Sequence, residues 1–108
     1  MRDGQEFKQA VRRGRKAAEP AMVVHVVPGT DGVTSVGFVV SKAVGTAVVR
    51  NRVKRRLRHL TAARLGEVPA GSRIVVRARP SAATATSTEL GDQLEAALHR
   101  AVAHGDRP

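Results

Sequence analysis

The sequence has no cysteine, no tryptophan and no tyrosine, and its only aromatic side chains are Phe7 and Phe38. The lack of cysteine excludes disulfides and thiolate metal sites. Two aromatics are too few for an RRM-like sheet, which stacks nucleotide bases on aromatic rings. No apolar run approaches the roughly 18–20 residues that span a bilayer, and the N-terminus has no apolar signal-peptide core. A soluble cytoplasmic protein is expected. Negative charge is scarce as well: no Asp or Glu occurs between Asp31 and Glu67.

What remains is a chain of 108 residues, 42% of them hydrophobic, enough for one domain with a core of Val, Ala, Leu and Ile. The net charge is +10, and it is polarised. Residues 1–60 carry thirteen basic side chains against four acidic ones, whereas residues 61–108 carry six against five. Such asymmetry predicts a basic surface facing a polyanion.

Along the chain, residues 3–16 read as a short helix, with Phe7, Ala10 and Val11 on one face. The β-branched run "AMVVHVVPG" (21–29) reads as a strand. After the turn dipeptide Asp31-Gly32 comes a second strand, 33–42, expected to pair with the first as a hairpin. Gly45-Thr46 opens a basic helix over about 46–65, residues 67–72 form a loop, and 73–80 form a third strand. In that strand Ile74, Val76 and Ala78 face one way, and Arg73, Val75, Arg77 and Arg79 the other. "SAATATS" (81–87) is a small-residue linker, and Thr86-x-x-Glu89 predicts a capping box opening the last helix. Its apolar face is Leu90, Leu94, Ala97, Leu98, Ala101 and Val102, with Gly105 at the end. This order implies an α+β sandwich around a small mixed sheet, with the strand after the basic helix free to run parallel to one of the first two.

The basic helix holds most of the functional information. From Arg50 to Arg58, six of nine residues are Lys or Arg. At 100° per residue, Val49, Val53, Leu57 and Leu60 fall within about an 80° arc. Arg50, Asn51, Lys54, Arg55 and Arg58 spread over the far side, and Arg52 and Arg56 flank the apolar seam. Cations four residues apart repel by a few tenths of a kcal/mol per pair, a cost that a bound polyanion offsets. A membrane-surface helix would need a broader apolar face. The expected ligand is therefore nucleic acid, held through phosphates, shape and a few polar contacts.

No catalytic apparatus accompanies this surface. His25, His59, His99 and His104 are scattered, Glu89, Asp92 and Glu95 read as a solvated helix face, and no phosphate loop, nucleophile elbow or Ser/His/Asp arrangement occurs. No catalytic residue is expected in the chain, and no metal site can be assigned.

The segment "GFVVSKAVGTAVVRNRVKRRLRHL" (37–60) resembles the bacterial ribonuclease P protein component, whose hallmark is Arg-Asn-Arg followed by further basic residues on a helix. The resemblance extends to "EFKQAVRRGRK" (6–16), "AMVVHVV" and "IVVRARP" (74–80), and so covers nearly the whole chain as one domain, 1–108. It implies a two-layer α/β sandwich of order αβββαβα, with a left-handed βαβ crossover and a third early strand. It also implies a function. Such proteins bind a large catalytic RNA, and the pair removes the 5′ leader of precursor tRNA. Hydrolysis falls to the RNA with Mg²⁺, and no protein partner is required.

Carried over by position, the resemblance implies that Lys42, Arg50, Asn51, Arg52, Lys54, Arg55 and Arg58 contact the catalytic RNA. Asn51 also fits an ordinary helix-surface amide. Lys42 is the first of a usual Lys pair whose second member is Ala43 here. Phe7, Val11 and His25 match positions lining the cleft for the single-stranded leader, and Val11 and His25 replace residues that are often aromatic, so base stacking there is expected to be weaker or different. Phe7 also fits an ordinary helix-to-sheet core position. The family's basic stretch before the first helix is missing from the start "MRDGQEF", which implies a truncated arm or a start assigned at an internal Met. The alternative to this reading is a stand-alone RNA- or DNA-binding protein, ribosome-associated and without a role in processing.

Overall fold

The computed structural model describes residues 15–27 and 32–105. Over that span the chain forms strand β1 (Arg15–Ala18), β2 (Met22–Val27), β3 (Ser35–Val39), helix α1 (Ala47–Ala62), β4 (Arg73–Ala78) and α2 (Ser87–Gly105). The four strands make one mixed sheet in the order β1-β2-β4-β3. The helix expected over 3–16 lies outside the described residues up to 14. Its last residues are strand instead, and β1 is the third early strand that the family resemblance implies.

β1 and β2 form a tight antiparallel hairpin, closed by Glu19 N donating to Met22 O at 2.7 Å. The hairpin expected between the 21–29 and 33–42 strands does not form. β2 pairs antiparallel with β4, and β3 pairs parallel with β4 on its other side. Two features of the sequence account for this. Residues 28–34 are too many for the two-residue turn that joins tight hairpins. Ile74, Val75 and Val76 at the centre of β4 are all buried, so the middle of the strand is covered on both faces, and such a strand takes an interior place. β3, half-buried throughout, becomes the edge. The β3–α1–β4 unit is a parallel crossover, so the strand after the basic helix does run parallel to one of the earlier strands.

Alternation in the strands sends Met22, Val24 and Val26 to the same face as Ile74, Val76 and Ala78. That face packs under both helices, with α2 lying over β1 and β2 and α1 bordering β3. Val53 and Leu57 of α1 join Leu90, Leu94, Ala97, Leu98 and Ala101 of α2 in one core, and each fully buried Leu contributes roughly 1.5–3 kcal/mol. The helices meet closely at Gly91, where an added Cβ would lie 3.3 Å from Leu60 Cδ2 and 3.1 Å from Arg64 Nη2.

The capping box at α2 forms in both directions. Thr86 N donates to Glu89 Oε1 at 2.8 Å, and Glu89 N donates to Thr86 Oγ1 at 3.0 Å. α2 is tied to the β1–β2 turn by Ala21 N donating to Gln93 Oε1 at 2.8 Å, and by Arg100, which meets Glu19 Oε2 at 2.6 Å and donates to Ala18 O at 2.8 Å. The small-residue linker is more ordered than its composition suggests: Pro80–Ala83 is a 3-10 turn with Ala82 fully buried. A second 3-10 turn, Leu65–Glu67, stands where the basic helix was expected to end and the loop to begin.

Candidate nucleic-acid interface

α1 starts at Thr46, whose Oγ1 accepts from Val49 N at 3.3 Å. The preceding Gly45 has φ +156°, a backbone conformation that favours glycine. Val53 and Leu57 are fully buried, and Val49 and Leu60 pack partly buried against the core. The expected apolar seam therefore docks the helix. Thr61 extends it, buried to 1% exposure with no partner for its hydroxyl. Thr61 is not evident from the sequence, because a single Thr next to the helix end carries no apolar signal.

The opposite side of α1 presents Asn51, Lys54, Arg55 and Arg58, all exposed. Lys42, in the 3-10 turn Lys42–Val44, is exposed as well. Among the described residues, the carboxylates that form ion pairs take Arg64, His99 and Arg100, and none pairs with a cation between Lys42 and Arg58. The exposed cations Lys42, Lys54, Arg55 and Arg58 are therefore uncompensated, an arrangement suited to a polyanion.

Arg50, Arg52 and Arg56 behave differently. All three are half-buried, and the Nε atoms of Arg50 and Arg52 are buried without a partner. Arg52 Nη2 donates to Ala83 O at 3.3 Å, and Arg56 Nη1 to Ala85 O at 3.5 Å. The structure thus brings together Asn51, Lys54, Arg55 and Arg58 on the open side, while Arg52 lies along the helix flank against residues 83–85.

The leader residues implied by the family fall elsewhere. Phe7 and Val11 lie outside the described residues. His25 sits in β2, opposite Lys16 of β1 and Val75 of β4, on the face of the sheet turned away from the helices. It is only 6% exposed, and its Nδ1 has no hydrogen-bond partner. Burial pushes its pKa below the ordinary 6.5, and the positive charges of Lys16 and Arg77 push it further the same way. Both effects favour the neutral imidazole. Nearby, Val23, Ser41, Ala43, Arg77, Arg79 and Pro80 line a cavity of about 350 Å³. Its residues come from three separate stretches of chain, and the only trace in the sequence is the outward alternation of arginines along β4.

No three His, Asp or Glu side chains come together among the described residues in a way that could hold a metal ion. No helix among them is long and apolar enough to cross a membrane.

The sequence profile of the family Ribonuclease P matches residues 1–102. The chain belongs to that family. A ribonuclease P protein component from Streptomyces bikiniensis is 50% identical, over 99% of this chain and 94% of the relative. One from Nocardioides is 48% identical, over 93% of this chain and 88% of the relative. The ribonuclease P protein of Staphylococcus aureus has the same fold at a TM-score of 0.82 and 27% identity, over 94% of this chain and 93% of that one. The Thermotoga maritima protein agrees in fold at a TM-score of 0.78, over 89% of this chain and 91% of that one. The exposed cations and Asn51 lie on the helix that carries the Arg50-Asn51-Arg52 sequence.

Proposed function

We propose that this chain is the protein subunit of ribonuclease P, binding the catalytic RNA through α1 and the 5′ leader of precursor tRNA, and so assisting endonucleolytic removal of that leader in the cytoplasm. The observation that carries this reading is the uncompensated strip Asn51, Lys54, Arg55 and Arg58 on a helix docked by its other side. Guanidinium forks donate two hydrogen bonds to one phosphate, and Lys54 adds a point charge. Asn51 offers both a donor and an acceptor, which suits a 2′-hydroxyl. Lys42 and Arg50 extend the strip beyond the helix start and along its edge. In this reading hydrolysis belongs to the RNA component with its Mg²⁺, which supplies charge stabilisation and an activated water. The leader would pass Phe7, Val11 and His25, where a neutral imidazole accepts or donates a hydrogen bond in place of a larger aromatic stack.

The test is reconstitution. The protein alone should leave precursor tRNA uncut, and adding it to the ribonuclease P RNA should restore cleavage at low Mg²⁺. Failure to rescue would remove the reading. Comparable affinity for duplex DNA, ribosomal RNA fragments and the ribonuclease P RNA would favour the stand-alone binding protein instead.

A further inference from the structure

The family resemblance assigns Arg52 to the RNA, but the geometry gives it another occupation. Arg52 and Arg56 lie one helical turn apart on the same flank of α1. Their guanidinium groups reach across to two backbone carbonyls, Ala83 O at 3.3 Å and Ala85 O at 3.5 Å. Those carbonyls belong to the connection between β4 and α2. Its own backbone bonds, Ala82 N to Arg79 O, Thr84 N to Ser81 O and Ala85 N to Ser81 O, leave Ala83 O and Ala85 O to the arginines. Beneath them Ala82 is fully buried, so the connection is pressed against the core on one side and clasped by α1 on the other. The neighbouring cations Lys54, Arg55 and Arg58 have no such engagement and are exposed.

We propose that Arg52, with Arg56, is a positioning residue: it clasps the β4–α2 connection to α1 and thereby sets the angle at which Asn51, Lys54, Arg55 and Arg58 meet the RNA. This inference rests on the proposed function of α1 as the RNA contact. It divides the six cations of the helix into two classes. Those on the open side displace counterions from RNA phosphates, and those on the flank hold the helix in register with the rest of the fold. A cation that contacts phosphate contributes to the salt dependence of binding, whereas a clasp does not.

The experiment compares the full chain with Arg52→Ala and Arg55→Ala, each titrated with the ribonuclease P RNA over a range of salt and at a temperature where melting curves show all three folded. Arg55→Ala should lower the slope of log K against log salt by about 0.7–0.9, the share of one phosphate contact. Arg52→Ala should keep the slope of the parent protein while losing about three- to tenfold in affinity, of the order expected when one ordinary hydrogen bond is lost. In the free protein, hydrogen exchange at the amides of Ala82, Thr84 and Ala85 should quicken in Arg52→Ala and stay unchanged in Arg55→Ala. A slope that falls in Arg52→Ala as it does in Arg55→Ala would overturn the proposal and make Arg52 a phosphate contact. Unchanged exchange at 82–85, or unchanged affinity in a folded Arg52→Ala protein, would overturn it as well. If the parent protein itself shows no salt-dependent binding to this RNA, the functional reading fails, and the exchange measurement still decides whether the clasp exists.

Discussion

A Cβ placed on Gly45 would lie 2.9 Å from Val49 Cγ1 and 3.0 Å from Val49 Cβ. The glycine just before the basic helix is thus in contact with the first residue of its apolar seam. Two constraints coincide there, because φ is also +156°. Gly45→Ala should therefore cost about 1–3 kcal/mol through backbone strain and overpacking together. Urea unfolding checks this, and a variant as stable as the parent would show that the start of α1 shifts freely.

Leu57 and Val48 make a paired test of how α1 is docked. Leu57 is fully buried, whereas Val48 on the outer side is 76% exposed. Leu57→Ala should lose about 2–5 kcal/mol, and Val48→Ala should stay within about 0.5 kcal/mol. The measurement is again the unfolding midpoint at constant slope. Similar losses at both positions would mean that the helix packs on a different face.

The position of α1 and its two faces were legible in the sequence because they rest on periodicity, which one helix expresses by itself. The same is true of the Thr86–Glu89 box and of Ile74, Val76 and Ala78, whose alternation gave the core face of β4. Strand pairing was not legible. "DG" at 31–32 predicts a turn wherever it stands, but which strand lies beside β2 depends on β4, some fifty residues away, having a centre that is buried on both faces. The short strand β1 was hidden for a similar reason: "RKAA" has no β-branched residue, and it becomes a strand by pairing with Met22–Val27. At the candidate site, the charges were plain but their directions were not. Arg52 and Arg55 look alike in a sequence, and only the nearby carbonyls of Ala83 and Ala85 separate them.

The reciprocal bonds between Thr86 and Glu89 should be worth measuring as a unit. Thr86→Ala removes the acceptor for Glu89 N and should cost about 0.5–2 kcal/mol. Glu89→Ala removes the acceptor for Thr86 N, and the double variant should cost less than the two single losses added, because each change weakens the same helix start. Strict additivity in a double-mutant cycle would show that the two bonds act independently.

His25 gives the fold a signed pH dependence. Its folded pKa lies below the unfolded value of about 6.5, so the unfolded chain binds the proton more readily. The stability linked to the neutral imidazole is fully present above about pH 6.5 and is lost as pH falls through the folded pKa. His25→Gln should abolish that part of the slope. Urea midpoints at pH 7.5 and 5.0 for both proteins supply the test, and an equal drop in the two would assign the acid sensitivity to other groups.

Lys54 addresses the cost of crowding cations on α1. It is exposed and stands four residues from both Arg50 and Arg58, so it repels two like charges along one helix face. Replacing it with Ala removes that repulsion and supplies the strongest helix former, so Lys54→Ala should be as stable as the parent or more stable by about 0.3–0.5 kcal/mol. The same change should weaken RNA binding and reduce its salt slope by about 0.7–0.9. Stability and affinity moving in opposite directions is what a surface kept for a polyanion predicts. Unfolding curves and RNA titrations on one preparation decide it: a variant that loses stability and keeps its affinity would make Lys54 part of the fold, and the self-repulsion of the helix would need another cause.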